Sequence, residues 1–149
     1  MSESAQGVPL VIVLDASVGV RWFKPEAGRD AAFALLERAI RGEVTLVTPT
    51  HFFSEVLGVV RRCYSPEDVS PAWERLSALG ISAMPLGDEL VAEAARQCAA
   101  LGCSWYDALA PACASLLHAT LASADARAHA AYPGVLLIEA GGAGLAVRL

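Results

Sequence analysis

The run Leu10-Val-Ile-Val-Leu14 constrains this chain more than any other segment. Five consecutive apolar residues leave no face for solvent, the pattern of a strand in a sheet covered on both sides. Asp15 follows immediately, a charge set at the strand's end. Parallel strands need a crossover between them, usually a helix, and the rest of the sequence supplies that alternation. Helical spacing over 29–41 places Phe33, Leu36 and Ile40 on one face and stops at Gly42. A second strand is expected at 44–47. Thr48-Pro49 then reads as an N-cap and a first helical position, opening a helix to about Cys63. Ser65-Pro66-Glu67-Asp68 and Ser70-Pro71 punctuate a turn before a short helix over 72–79. A third strand at 81–86 and a helix over 88–101, ended by Gly102, come next. Ser104 caps a helix to about His118, and strands at 119–123 and 135–138 close the series. The expected fold is α/β: a single-domain, three-layer α/β/α sandwich with a central parallel sheet of about five strands. The domain is expected over 9–140, between an N-terminal tail (1–8) and a C-terminal tail (141–149). The tail's Gly141-Gly-Ala-Gly144 lacks the third glycine of a dinucleotide fingerprint.

The chain has 149 residues, enough for one sizeable core, and 55% of them are apolar. With a mean hydropathy of +0.46, some apolar surface is expected to be covered by a partner. On the helix at 48–63, Phe52 and Val56 lie on one side and Phe53, Leu57 and Val60 on another, which suits two contacts. No membrane span is expected. The longest uncharged run, 108–124, is interrupted by Pro111, Ser115, His118 and Thr120 and falls short of the ~20 apolar residues a bilayer needs. Met1 to Gly7 lacks the basic and apolar regions of a signal peptide. A net charge of −5 argues against a nucleic-acid coat protein with a broad basic field, but not against an enzyme that holds nucleic acid briefly through a metal. Cys63, Cys98, Cys103 and Cys113 form no Cys-x-x-Cys pair and no zinc spacing with histidine. They read as small buried hydrophobes in a reducing cytoplasm. His51, His118 and His129 have no triad partner at a convincing spacing and read as structural or surface residues.

Four carboxylates stand where an α/β sheet would gather them. Asp15 ends the first strand and Asp125 closes Thr120-Leu-Ala-Ser-Ala-Asp125. Asp107 lies in the first turn of its helix and is the only charged residue between Gln97 and Ala124. Glu55 sits in an apolar helical stretch beside Phe52, Val56 and Val59. Ligands of parallel sheets bind beyond the carboxyl ends of the strands. Clustered carboxylates there repel one another and attract a hard cation such as Mg²⁺, and magnesium among carboxylates commonly serves phosphate chemistry. Each residue also has a local alternative. Asp15 could cap a turn, Asp107 could answer the helix dipole, and Asp125 could cap a helix over 126–131. Glu55 could pair with Arg61 or Arg62.

Leu14-Asp15-Ala-Ser17, followed by Arg21-Trp22-Phe23 and Glu26, resembles the opening motif of PIN-domain nucleases, especially the VapC-like toxins of bacterial toxin–antitoxin pairs. Thr48-Pro49 with Ser54-Glu55-Val56-Leu57 is similar to their second motif, Ser104-Trp105-Tyr106-Asp107-Ala108-Leu109 to their third, and Leu121-Ala-Ser123-Ala-Asp125-Ala-Arg127 to their fourth. The resemblance spans about residues 10–140. It implies Mg²⁺- or Mn²⁺-dependent endoribonuclease activity in the cytoplasm, with an RNA substrate, a cognate antitoxin and a homodimeric state. Asp15 and Asp107 would be the main metal ligands, with Asp125 and Glu55 holding metal-bound water or a second ion. Ser17 and Ser123 would hydrogen-bond carboxylates or water, and Arg21, Lys24, Arg61, Arg62 and Arg127 would meet RNA phosphates. Three positions depart from the family pattern. Gly58 replaces a frequent Asn, Ser123 a usual Thr, and Pro111 interrupts the third-motif helix one turn after Asp107, where a kink is expected. Three other readings remain at this point: a PIN-like RNA-processing nuclease without antitoxin, a degenerate PIN fold that only binds, and an aspartyl-phosphate protein. The last wants a well-placed lysine, and Lys24 is the only one.

Overall fold

The computed structural model describes residues 8–138. The expected tails, up to residue 7 and over 141–149, lie outside the described residues. Strands β1 (Leu10–Leu14), β2 (Val44–Pro49), β3 (Ser82–Met84), β4 (Thr120–Ser123) and β5 (Leu136–Leu137) form one parallel sheet in the order β3-β2-β1-β4-β5. β1 is central, pairing Val13 with Val47 on one side and with Leu121 on the other. That position explains its composition, since Ile12, Val13 and Leu14 are all fully buried.

The helices are α1 (Ala16–Val20), α2 (Arg29–Ile40), α3 (His51–Cys63), α4 (Val69–Ser77), α5 (Asp88–Leu101), α6 (Trp105–Leu117) and α7 (Ala126–His129), with a 3₁₀ turn at Pro66–Asp68. The chain steps outward from β1 to β2 to β3, then returns to place β4 on the other side of β1. Right-handed crossovers in opposite directions put their helices on opposite faces. Ile12, Leu14 and Leu46 accordingly pack with Val18, Leu35, Phe52 and Leu76 from α1 to α4. Val13 and Leu121 pack with Leu90 and Ala94 of α5 and with Ala108, Ala112 and Cys113 of α6. The architecture is the expected three-layer sandwich. Its direction reverses between β1 and β4, the place where open α/β sheets leave a ligand crevice.

Several local expectations change. Thr48 and Pro49 do not open a helix. They finish β2, paired with Ala83 and Met84 of β3, and α3 begins at His51. The pairing of β2 with β1 ends at Val47, so Pro49 lies where only one neighbour remains and its missing N–H costs little. The helix expected at 72–79 is α4, with Ser70-Pro71 inside its first turn, because proline is tolerated there. The third and fifth strands are shorter than expected. Val60 shares the buried face of α3 with Phe52 and Val56, one turn apart each, and not the face of Phe53 and Leu57. That second face is partly covered within the chain, with Phe53 edge-on to Trp73 of α4 at 5.9 Å. Helix α6 runs unbroken from Trp105 to Leu117 with Pro111 inside it.

Gly19 sets the approach of α1 to α3. A Cβ there would stand 2.5 Å from Phe52 Cζ and 2.9 Å from Val56 Cγ2. Only glycine lets the turn after Asp15 press so closely onto the helix that carries Glu55.

Candidate active site

Three of the four carboxylates are at helix starts. Asp15 is the N-cap of α1, and its Oδ2 accepts from Ser17 N at 3.0 Å. Its own N–H donates to Ala122 O of β4 at 3.0 Å, tying it across the β1–β4 junction. Asp125 is the N-cap of α7, with Oδ1 accepting from Ala128 N at 3.1 Å. Asp107 is in the first turn of α6, its N–H held by Ser104 Oγ at 3.1 Å. The local alternatives read from the sequence are therefore real contacts. A helix N-terminus also stabilises the negative charge that such a position brings, which lets these groups be half-buried beside the core.

Glu55 differs. It is not on the apolar face of α3. Phe52, Val56 and Val60 turn inward, and the Glu55 side chain, 47% exposed, sits at the rim of that face. Its partner is neither Arg61 nor Arg62 but His51, whose Nε2 is 3.0 Å from Glu55 Oε1. That contact is at ion-pair distance, the histidine carrying charge only when protonated, and His51 Nε2 has no partner in hydrogen-bond geometry, so it is not a directed bond. The His51 ring stacks on Tyr106, with centroids 4.9 Å apart. Burial raises the Glu55 carboxyl above its ordinary range, the charges of Asp15 and Asp107 push the same way, and His51 opposes them.

Glu55 thus feels both Asp15 and Asp107, while Asp107 and Asp125 share an open cleft of about 350 Å³ with Ser104 and Arg127. Asp107 belongs to both groups. Among the described residues, no three Asp, Glu, His or Cys side chains close into a metal cage. The donors themselves suit a hard divalent cation, being carboxylate oxygens in a solvent-open cleft. Mg²⁺ keeps several waters and commonly takes only one or two carboxylates, so an open arrangement fits it.

The serine hydroxyls serve the main chain. Ser17 Oγ accepts from Ala124 N at 2.9 Å and lies 3.5 Å from Ser123 Oγ. Ser123 Oγ accepts from Asp125 N at 3.0 Å. Neither hydroxyl bonds a carboxylate oxygen among the described residues. His129, expected at the surface or in a structural role, is fully buried. Its Nδ1 is 2.7 Å from Ser123 Oγ and its Nε2 is 2.7 Å from Asp107 O. The only sequence cue was its spacing of four residues after Asp125; nothing in the sequence marked its reach to Asp107. His51 was more legible, since a His and a Glu four apart share a helix face.

The cations divide. Arg21 is turned into the fold, donating to Ser17 O and Ala27 O at 2.7 Å each and pairing with Glu26. Lys24 pairs with the same Glu26 at 3.1 Å. Arg61 and Arg62 are exposed in the last turn of α3, and Arg127 lines the cleft beside Asp107 and Asp125.

A sequence model of the PIN domain matches residues 12–133. The chain belongs to the PIN-domain family. No curated protein matches it. Among solved structures, the fold is similar to a chain of VapBC2 from Rickettsia felis bound to a DNA fragment from its promoter, with a TM-score of 0.68 and 13% identity over 87% of this chain and 98% of that one. DNA-bound VapBC from Salmonella typhimurium gives a TM-score of 0.63 at 13% identity, covering 87% and 98%. FitAcB from Neisseria gonorrhoeae gives 0.63 at 20% identity, covering 85% and 96%. At these identities the shared property is the PIN fold, which five parallel strands and their crossovers already display. Among the described residues, no helix is long and apolar enough to cross a membrane.

Proposed function

We propose that this PIN-domain protein is a metal-dependent endoribonuclease that hydrolyses RNA phosphodiester bonds as the toxin of a toxin–antitoxin pair. One observation carries the reading: on a PIN scaffold, Asp15 and Asp107 add to burial in raising the Glu55 carboxyl, and Asp125 faces the same cleft as Asp107. Asp15 and Asp107 would hold a Mg²⁺ or Mn²⁺ ion, with Glu55 and Asp125 holding its water or a second ion. A bound ion of that kind supplies an acidified water and neutralises charge on the phosphate. Asp15 and Asp107 orient the reacting phosphate by fixing where positive charge sits, and the hydrogen bonds of Ser17 and Ser104 hold those two residues in place. Glu55, its carboxyl pushed toward the neutral form, suits the task of taking a proton from water. Arg127, beside the cleft, meets the RNA phosphate backbone; Arg61 and Arg62 would extend that track, and Lys24 and Arg21 are less available because Glu26 pairs with both.

The partner reading rests on the toxin–antitoxin complexes among the similar folds and on apolar side chains left outside. Ile40, Leu86 and Tyr106 are each more than half exposed. A homodimer and a cognate antitoxin would cover such surface, in the cytoplasm where RNA is cut. Co-purification from the native operon and light scattering test this part. A chain that stays monomeric at high micromolar concentration and brings no small protein with it would end it. For the chemistry, the decisive experiment is digestion of a mixed RNA pool with and without Mg²⁺, using the wild type and Asp15→Asn. Cleavage should require both the metal and Asp15. Cutting in EDTA, or by a folded Asp15→Asn protein at the wild-type rate, would overturn the mechanism.

A further inference from the structure

Pro111 and His129 explain each other. In an α-helix the N–H of residue 111 would donate to the carbonyl of residue 107. Proline has no N–H, so Asp107 O loses its helical donor, and the helix from Ala108 to Ala114 is buried throughout. A carbonyl stranded beside that packing is costly. His129 Nε2, 2.7 Å from Asp107 O, supplies the missing donor from α7. Because a carbonyl oxygen can only accept, Nε2 must carry the proton. In the tautomer with Nδ1 bare, that nitrogen accepts from the Ser123 hydroxyl, 2.7 Å away. Ser123 Oγ keeps its lone pairs for Asp125 N at 3.0 Å and for Ser17 Oγ at 3.5 Å. Ser17 in turn gives its backbone N–H to Asp15 Oδ2. One network, built around the buried His129 and Ser123, therefore joins the main chain of Asp107, the main chain of Asp125 and the carboxylate of Asp15.

We propose that His129 is a positioning residue for Asp107, standing in for the backbone donor that Pro111 lacks and so fixing Asp107 relative to Asp125 and Asp15. The proposal rests on the reading that Asp107 holds a divalent ion. Ser104, the N-cap of α6, pins the N–H of Asp107 and His129 of α7 pins its C=O, so the residue is held from two elements. The proline that puts the third motif at odds with its family is thereby part of how the site is built. Residues that hold a ligand in place from behind typically contribute a factor of about 10–100 to metal affinity.

The test is a double-mutant cycle read as Mn²⁺ affinity of RNA-free protein, by electron paramagnetic resonance of the free ion. His129→Phe keeps the ring's bulk and removes both hydrogen bonds. It should weaken Mn²⁺ binding about 10–100-fold. In the Pro111→Ala background, residue 111 again donates to Asp107 O, and the same change should cost no more than about a tenth of that factor. Equal losses in the two backgrounds, or wild-type affinity in a folded His129→Phe protein, would overturn the proposal. If His129→Phe does not fold, a second pair decides. The amide of Gln reaches the place of Nε2, whereas that of Asn reaches only the place of Nδ1. His129→Gln should therefore bind Mn²⁺ more tightly than His129→Asn, and the reverse order would overturn the proposal. An imidazole ¹⁵N spectrum should show the proton on Nε2; a proton on Nδ1 with Nε2 bare would also overturn it. If the wild type binds no Mn²⁺ the function reading fails, yet the spectrum and the coupling of the two positions in melting temperature still judge the pairing of Pro111 with His129.

Discussion

Three of the acidic residues stand at helix starts and one in mid-helix, and they are held in opposite ways. Asp15 and Asp125 accept backbone N–H bonds as N-caps, and Asp107 is anchored through Ser104. Glu55 has only an undirected contact with His51, and burial raises its carboxyl. The difference teaches that a helix start brings positive backbone ends to the acidic groups beside it, and that a group lacking those ends carries more of the strain of the gathering.

The largest effect expected from this contrast is on catalysis. Asp107→Asn keeps the shape of the first turn of α6 and removes the charge common to both halves of the site. Loss of several kcal/mol of metal-dependent stabilisation lowers the RNA cleavage rate by a factor of about a hundred or more. Asp15→Asn should do likewise while staying folded, because Asn is as good an N-cap as Asp. Circular dichroism confirms the fold and a quenched RNA digest reads the rate. If Glu55→Gln proves as damaging as Asp107→Asn while neither disturbs folding, the mid-helix residue is not the lesser ligand and the contrast breaks.

Next comes metal-linked stability. A ligand that binds only the native state adds about 2.7 kcal/mol at a hundred times its dissociation constant. Melting should therefore rise by several degrees in saturating Mg²⁺ or Mn²⁺, and Asp107→Asn should blunt the rise more than Glu55→Gln does. A melting temperature that stays flat across a broad titration would remove the ion from the account.

A comparable loss is expected where the two regions are pressed together. Gly19→Ala places a methyl 2.5 Å from Phe52 Cζ and 2.9 Å from Val56 Cγ2, which must push α3 away from α1 or distort the fully buried Val56. Overpacking of this kind costs about 1–3 kcal/mol, a fall of a few degrees in a chain of this size. The displacement should weaken Mn²⁺ binding too, because α3 carries Glu55 and the turn before α1 carries Asp15. Unchanged thermal stability would show that α3 yields freely and that the spacing is not set by Gly19.

Much of this contrast could be read from the sequence, for physical reasons that differ by residue. The sheet was legible because Leu10–Leu14 is apolar on both faces and only a covered central strand tolerates that. Ser104 as a cap and Gly102 as a stop were legible because capping is local chemistry. Thr48-Pro49 misled, since the same residues that suit a helix start also suit the end of a strand that has lost one neighbour, and only the register with Met84 distinguishes the two. Glu55 looked more buried than it is because its neighbours in sequence are apolar, whereas the helix turns Phe52 and Val56 past it. His129 was illegible in function because its partners, Asp107 O and Ser123 Oγ, are 22 and 6 residues away and one of them is a backbone atom. Pro111 suggested a disturbed Asp107; the donor that answers it comes from another helix, which no local pattern announces.

The smallest effect isolates the strain itself. The Glu55 carboxyl is raised in the folded protein by burial, then by Asp15, with Asp107 adding to the same sense against His51. A carboxyl whose folded pKa exceeds its unfolded value binds its proton longer in the native state, so its ionisation opposes folding. Below the unfolded value, about 4.3, both states are protonated and the penalty is absent. As pH rises from the unfolded value through the raised folded value the penalty develops, so it weighs more at pH 7 than at pH 4. Glu55→Gln should therefore raise the melting temperature of the metal-free protein at pH 7, by an amount kept small by the side chain's solvent exposure, and that gain should vanish near pH 4. Saturating Mn²⁺ should reverse the sign at pH 7, because the charge that burdens the empty cleft helps hold the ion. Melting curves of the two proteins in EDTA at pH 4 and pH 7, and in Mn²⁺ at pH 7, read all three conditions. A gain in EDTA that is as large at pH 4 as at pH 7 would mean that packing, not charge, separates Glu55 from the three aspartates.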